Sequence, residues 1–206
     1  MEGFVSSEAG RNFLIRDTLL FLHGLRANES LGIAAHEMLL QGAVLCWGAF
    51  EVLARDCFVA YLNESPGLAL RLLADPVAKR RFELSKISLE TLAAHGFDLS
   101  GRMGDLLAQQ QDLSDVHSVK AVYQALFPDR KNLSDSLNDP DLRNLSLRRN
   151  LIIHRRGIID GTYASLTKIS QRVGDRLALS PDDIEVHLST VLKSAMSILE
   201  AVSKCE

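Results

Sequence analysis

The sequence lacks most of the features that would assign it by inspection. It holds only 3 cysteines, too few for a disulfide scaffold. Cys46 and Cys57 fall on one expected helix, where eleven residues span roughly 16 Å, too far to bridge each other. Free thiols, and with them a cytoplasmic location, are the expectation. Met1-Glu2-Gly3-Phe4 has neither the basic start nor the apolar run of a signal peptide. Charges interrupt every apolar stretch well before the ~18 residues a membrane span requires. No histidine pair has zincin spacing and no Cys-x-x-Cys occurs, so neither a metal nor a cofactor is expected. Gly101-Arg102-Met103-Gly104 lacks the strand, third glycine and lysine of a phosphate loop, and no serine sits in a Gly-x-Ser-x-Gly elbow. Positive charge is also missing: the net charge is −3, so nucleic acid would have to be met by a local basic patch. No run of proline, glycine or serine divides the chain. Its 206 residues therefore read as a single domain, 1–206, long enough for one well-buried core.

What is present is helical periodicity. Over 7–27 the pattern is helical, with Phe13, Leu14, Leu20, Phe21 and Leu25 as a broad apolar face. Over 32–63 lies the longest apolar-periodic segment, a central helix expected to be buried on much of its circumference. Within it Glu51 and Arg55 stand i,i+4, which reads simply as a surface ion pair. With Trp47, Phe50 and Ala54 around it, the Glu51 carboxylate can instead look into an interhelical cleft. A short apolar piece follows, then a helix expected over 77–95. Its Lys79-Arg80-Arg81 run reads as a solvated face or as an extension of a phosphate-binding surface. Between 96 and 136 only 102–111 and 118–127 look helical. Asp139-Pro140-Asp141 reads as N-cap, N1 and N2 of the next helix, ending near His154 ahead of Gly157. A small hairpin pairing 151–153 with 158–159 is a competing reading, but three residues a side is too little for a sheet. Ser180-Pro181-Asp182-Asp183 opens the last helix, with Ile184, Leu188, Val191, Leu192, Ala195, Ile198, Leu199 and Val202 expected to face inward.

Chemistry concentrates around residues 147–160. On an ideal helix Asn150 and His154 project about 40° apart and Arg149 and His154 about 140°. Asn150 can therefore orient the imidazole, while Arg149 must use its length to reach the same site. Those side chains suit RNA cleavage: histidine moves protons near neutral pH, and arginine offers a charged fork to phosphate oxygens. Arg148, Arg155, Arg156 and, a little earlier, Arg143 would supply the local phosphate-attracting patch. Basic residues at a helix C-terminus also simply complement the macrodipole. The five other histidines, His187 among them, are scattered and read as ordinary surface or partly buried residues.

The full pattern is Arg149-Asn150-x-x-x-His154-x-x-Gly157-x-x-Asp160-x-x-Tyr163. With the upstream helix holding Trp47, Phe50 and Glu51 and the capped C-terminal helix, it resembles the HEPN superfamily, in particular the RiboL-PSP type. The likeness covers the core helices, about 32–63 and 139–204. It implies an all-α helical bundle with two long core helices and extra short ones, assembled as a homodimer. It also implies a metal-independent endoribonuclease acting as a toxin or phage-defence effector, with RNA as substrate and an antitoxin or other partner protein. By resemblance Arg149, Asn150 and His154 map onto the functional positions and Glu51 onto a supporting polar residue. Where relatives commonly carry asparagine after the histidine, this chain has Arg155. Other members are non-catalytic, which leaves an interaction or nucleotide-binding module as the alternative. A purely structural reading gives the motif only capping duties.

Overall fold

The computed structural model describes residues 8–81, 88–110, 113–167 and 170–203. The order is α1 (Glu8–Ala27), α2 (Glu29–Glu64), a 3₁₀ turn (Pro66–Leu68), α3 (Ala69–Ala74), α4 (Pro76–Arg81) and α5 (Leu89–Ala94). Then come α6 (Met103–Gln110), α7 (Val116–Leu126), α8 (Lys131–Leu137), α9 (Pro140–Arg155), α10 (Gly161–Thr167) and α11 (Pro181–Ser203). The fold is all-α. Among the described residues β-type pairing is confined to a single antiparallel bridge, Ile158 with Arg176.

α2 is the mast of the bundle, and α6, α9 and α11 pack directly on it. Leu40, Ala43, Trp47, Phe50, Ala54 and Phe58 recur at three- and four-residue steps and are buried to 1% exposure or less, a stripe that faces the core as period 3.6 demands. Tyr123 of α7 reaches that stripe and donates its buried hydroxyl to the Ala54 carbonyl at 2.7 Å, which satisfies both polar groups inside the core.

Caps set the boundaries. Asn28 accepts from the Leu31 N–H and starts α2 earlier than the apolar pattern does. Asp139 and Pro140 open α9 as N-cap and N1. Arg156 and Gly157 close it with positive φ of 55° and 75°, the left-handed exit that favours glycine at the second position. The hairpin alternative does not form: 151–153 are helical, and Ile158 pairs with Arg176 instead.

Three expectations are corrected. The helix expected over 77–95 is not continuous. Ser88 is extended and its hydroxyl accepts from the Thr91 N–H, so a new helix starts at Leu89, while 82–87 lie outside the described residues. α8 was hidden because Lys131-Asn132-Leu133-Ser134-Asp135 has too few apolar positions to show a period. Leu188, Leu192 and Leu199 do not face inward but are 50%, 63% and 41% exposed.

Among the described glycines, the tightest approach to a neighbouring backbone lies between α6 and α2. Asn63 accepts from the Gly104 N–H at 2.8 Å and donates to Asp105 at 2.8 Å, drawing α6 down onto α2. A β-carbon at Gly104 would stand 2.6 Å from the Val59 Cα and inside the envelope of its carbonyl. Backbone cannot swing aside as a side chain can. Gly104→Ala is therefore expected to destabilise the fold by about 1–3 kcal/mol, as overpacking does. Chemical denaturation measures this, and an unchanged midpoint would contradict the packing.

Candidate functional site

Arg148 and Arg149 are neighbours in sequence and leave α9 on different sides. Arg149 points to α2: its Nη2 lies 3.6 Å from Glu51 Oε2, with both side chains about one-quarter exposed. The Glu51 carboxylate also accepts from Trp47 Nε1 at 3.1 Å, and the same indole N–H meets the Ser114 carbonyl at 3.0 Å. Trp47 is fully buried, so it is a rigid support for the carboxylate. Glu51 thus serves Trp47 and Arg149, while Arg55 is exposed.

Arg149 Nη1 donates to Asn150 Oδ1 at 3.0 Å. The expected job of Asn150, orienting His154, is not the bond it makes: its oxygen is spent on Arg149. What remains on Asn150 is a pair of N–H donors. Asn150 and His154 line a cleft of about 200 Å³ between α9 and α10, together with Leu147, Arg155, Asp160 and Tyr163. The His154 imidazole is exposed there. Arg149 and His154 are not brought into contact, and Asn150 stands between the paired arginine and the cleft that holds the histidine.

Arg155 lies 3.7 Å from Asp160 and is 66% exposed. Arg156 occupies the left-handed cap, and both it and Arg143 are exposed. The remaining positions of the motif hold the backbone. Gly157 makes the turn, and Asp160 caps α10 by accepting from the Tyr163 N–H at 2.8 Å. His36 of α2 meets the Leu177 carbonyl at 2.9 Å and Glu37 pairs with Arg176, so the loop behind the motif is tied to α2.

Arg148 turns towards α11 and the Tyr163 side chain behind the cleft wall, and it does not itself line the cleft. Its Nη1 bonds Asp183 Oδ1 and His187 Nε2, each at 2.9 Å. Sequence reasoning passed over His187, which is 2% exposed. Its place three residues after Ile184 and four before Val191, on the inward stripe of α11, was the available signal. Because an arginine N–H donates to Nε2, the ring is the neutral form protonated at Nδ1, and that Nδ1 is buried without a partner. Burial, then the Arg148 charge, push the His187 pKa from 6.5 to about 4, against the pull of Asp183 and Asp141. Burial opposes ionisation of Asp183 too, but hydrogen bonds from Ser180 and Arg148 outweigh it and hold the carboxyl below its usual range.

Compared with family models, curated proteins and solved structures, the chain shows no significant match.

The His187 shift makes a stability statement. A histidine kept neutral in the fold favours folding above pH 6.5, and that contribution is lost as pH falls from 6.5 towards 4. The loss is worth about 3 kcal/mol at one decade per 1.4 kcal/mol. Denaturation midpoints across that range should fall more steeply for the native chain than for His187→Gln. Parallel slopes would show that His187 is not the titrating group.

Proposed function

We propose that the chain is a metal-independent endoribonuclease of the HEPN type, with Arg149, Asn150 and His154 as the reacting surface and Glu51 as its support. The observation that carries this reading is the chain of contacts Trp47–Glu51–Arg149–Asn150, which ends at the cleft holding His154. An arginine on the open surface has no fixed direction. This one is held on two sides, so the cost of orienting its fork has been met before a ligand arrives.

In the reaction, the RNA 2′-hydroxyl oxygen bonds to phosphorus and the P–O5′ bond breaks, giving a 2′,3′-cyclic phosphate and a 5′-hydroxyl. Arg149 and the Asn150 amide meet the phosphate oxygens as negative charge builds there. His154 passes the proton at the attacking or the leaving oxygen. Exposed Arg155, Arg156 and Arg143 attract the flanking phosphates. Arg148 is spent on Asp183 and His187 and serves the fold. A homodimer placing two such surfaces on one RNA, and a toxin or phage-defence role with an antitoxin or partner protein, complete the reading.

A second reading is favoured by the charge of the pair itself. Glu51 neutralises Arg149, so the half-buried cluster carries no net charge, as suits a non-catalytic module that docks a nucleotide or a partner.

Cleavage of labelled RNA in chelator separates the two. His154→Ala and Arg149→Ala should each slow cleavage by about 10²-fold or more while leaving thermal unfolding near that of the native chain, since His154 is exposed and the 3.6 Å Arg149–Glu51 pair contributes little to stability. Intact RNA with the native chain, or variants that cut as it does, would overturn the nuclease. RNA binding that survives in His154→Ala without any native cleavage would select the module.

A further inference from the structure

α1 packs on almost nothing. Its described side chains are all exposed, and Phe13, Ile15, Leu19, Leu20, Phe21 and Leu22 are 45–65% exposed. At about 100° per residue these side chains spread over most of the helix surface, and the polar strip left to Asn12, Arg16 and His23 is narrow. A helix lying on a membrane keeps one broad charged face, whereas α1 scatters Arg11, Asp17 and Thr18 among its apolar side chains, a pattern that suits enclosure by a protein surface with charges of its own.

The same chain carries an empty seam of matching length. On α2, Leu31, Met38, Leu45 and Val52 recur at seven-residue steps and are 45–75% exposed. They lie on the side opposite the core stripe. On α11, Leu188, Leu192, Met196 and Leu199 form a second stripe, 41–63% exposed. The two helices pack together, with Ile184 of α11 against Gly42 of α2, and both stripes flank that contact on its outer side. Twenty residues of α1 and the 31–52 seam each span roughly 30 Å.

α1 cannot reach the seam of its own chain. Asn28 is the only non-helical residue between α1 and α2, with φ −81° and ψ 105°. Folding one helix back on the next takes a loop of about 2–5 residues. A one-residue elbow projects the arm away.

We propose that two copies of the chain exchange these arms, α1 of each lying along the α2–α11 seam of the other. Arm and seam together offer on the order of 1,000 Å² of apolar surface per copy, beyond the few hundred of an ordinary monomer patch and enough for a stable interface. Charge agrees: Arg16 pairs with Asp17 on the arm and leaves Arg11 exposed there, and exposed Asp56 and Glu185 border the seam. The proposal takes a second copy as partner, as the ribonuclease reading does, but its test reads mass and not cleavage, so either can fail alone.

Sedimentation of the full chain at micromolar concentration provides that test. The native chain should be a dimer. Leu20→Glu with Phe21→Glu on the arm, and separately Leu45→Glu with Leu192→Glu on the seam, should each raise the dissociation constant by at least about 100-fold. Circular dichroism should confirm that the core helices persist, since all four positions are exposed. Mixing the two variants should restore a dimer, because one intact arm then meets one intact seam. A monomeric native chain overturns the proposal, whether it stays in solution or binds vesicles of phosphatidylcholine and phosphatidylglycerol. A dimer that survives the arm substitutions, or a mixture that does not reassociate, overturns the exchange in favour of seam-to-seam pairing.

Discussion

Successive residues on an α-helix leave it about 100° apart, and α9 uses that angle to fasten itself to two different helices. Arg148 is tied to Asp183 and His187 of α11, and Arg149 to Glu51 of α2. Both ties cross to elements far away in sequence, so they fix the roll of α9 between α2 and α11. Roll is what the site depends on. A small rotation would break the Arg149–Glu51 contact and turn Asn150 and His154 together away from the α10 wall of the cleft.

The two ties differ in physical character. Arg148 and Asp183 are 19% and 31% exposed, much as Arg149 and Glu51 are, but the α11 tie also holds His187, which is 2% exposed. Breaking one partner there leaves buried polar groups unmatched, which costs more than the pair itself contributes. The α2 tie is longer, 3.6 Å against 2.9 Å, and its direct contribution to stability is small. Its value lies in direction: Trp47 holds the carboxylate, the carboxylate holds the guanidinium, and the guanidinium takes the Asn150 oxygen. Adjacent arginines thus divide between holding the fold and presenting a charge.

Much of this was legible from residue pattern. The helical class, the long central helix, the Asp139-Pro140 start and the exit near Gly157 follow from periodicity and capping chemistry, which are local. That Glu51 turns towards a neighbouring helix was readable from Trp47 and Phe50 beside it. Other features were not local. Nothing near Arg148 distinguishes it from Arg149, and its job is set by Asp183 and His187 more than thirty residues on. Asn150 stacks under His154 on a helical wheel, yet Arg149 is near enough to claim its oxygen first. The inward stripe of α11 was drawn too wide, because apolar character alone cannot tell a core position from one that a second molecule could cover.

The two arginines divide holding the fold from presenting a charge, and equilibrium binding of an uncleavable RNA reads that division. A short oligonucleotide with 2′-deoxy sugars would be titrated by fluorescence anisotropy against Arg148→Met and Arg149→Met, with thermal unfolding of each protein recorded alongside. The account predicts that Arg149→Met binds weakly while unfolding near the native temperature, and that Arg148→Met unfolds earlier while its folded form still binds. Native binding by Arg149→Met, or lost binding with native stability in Arg148→Met, would contradict it.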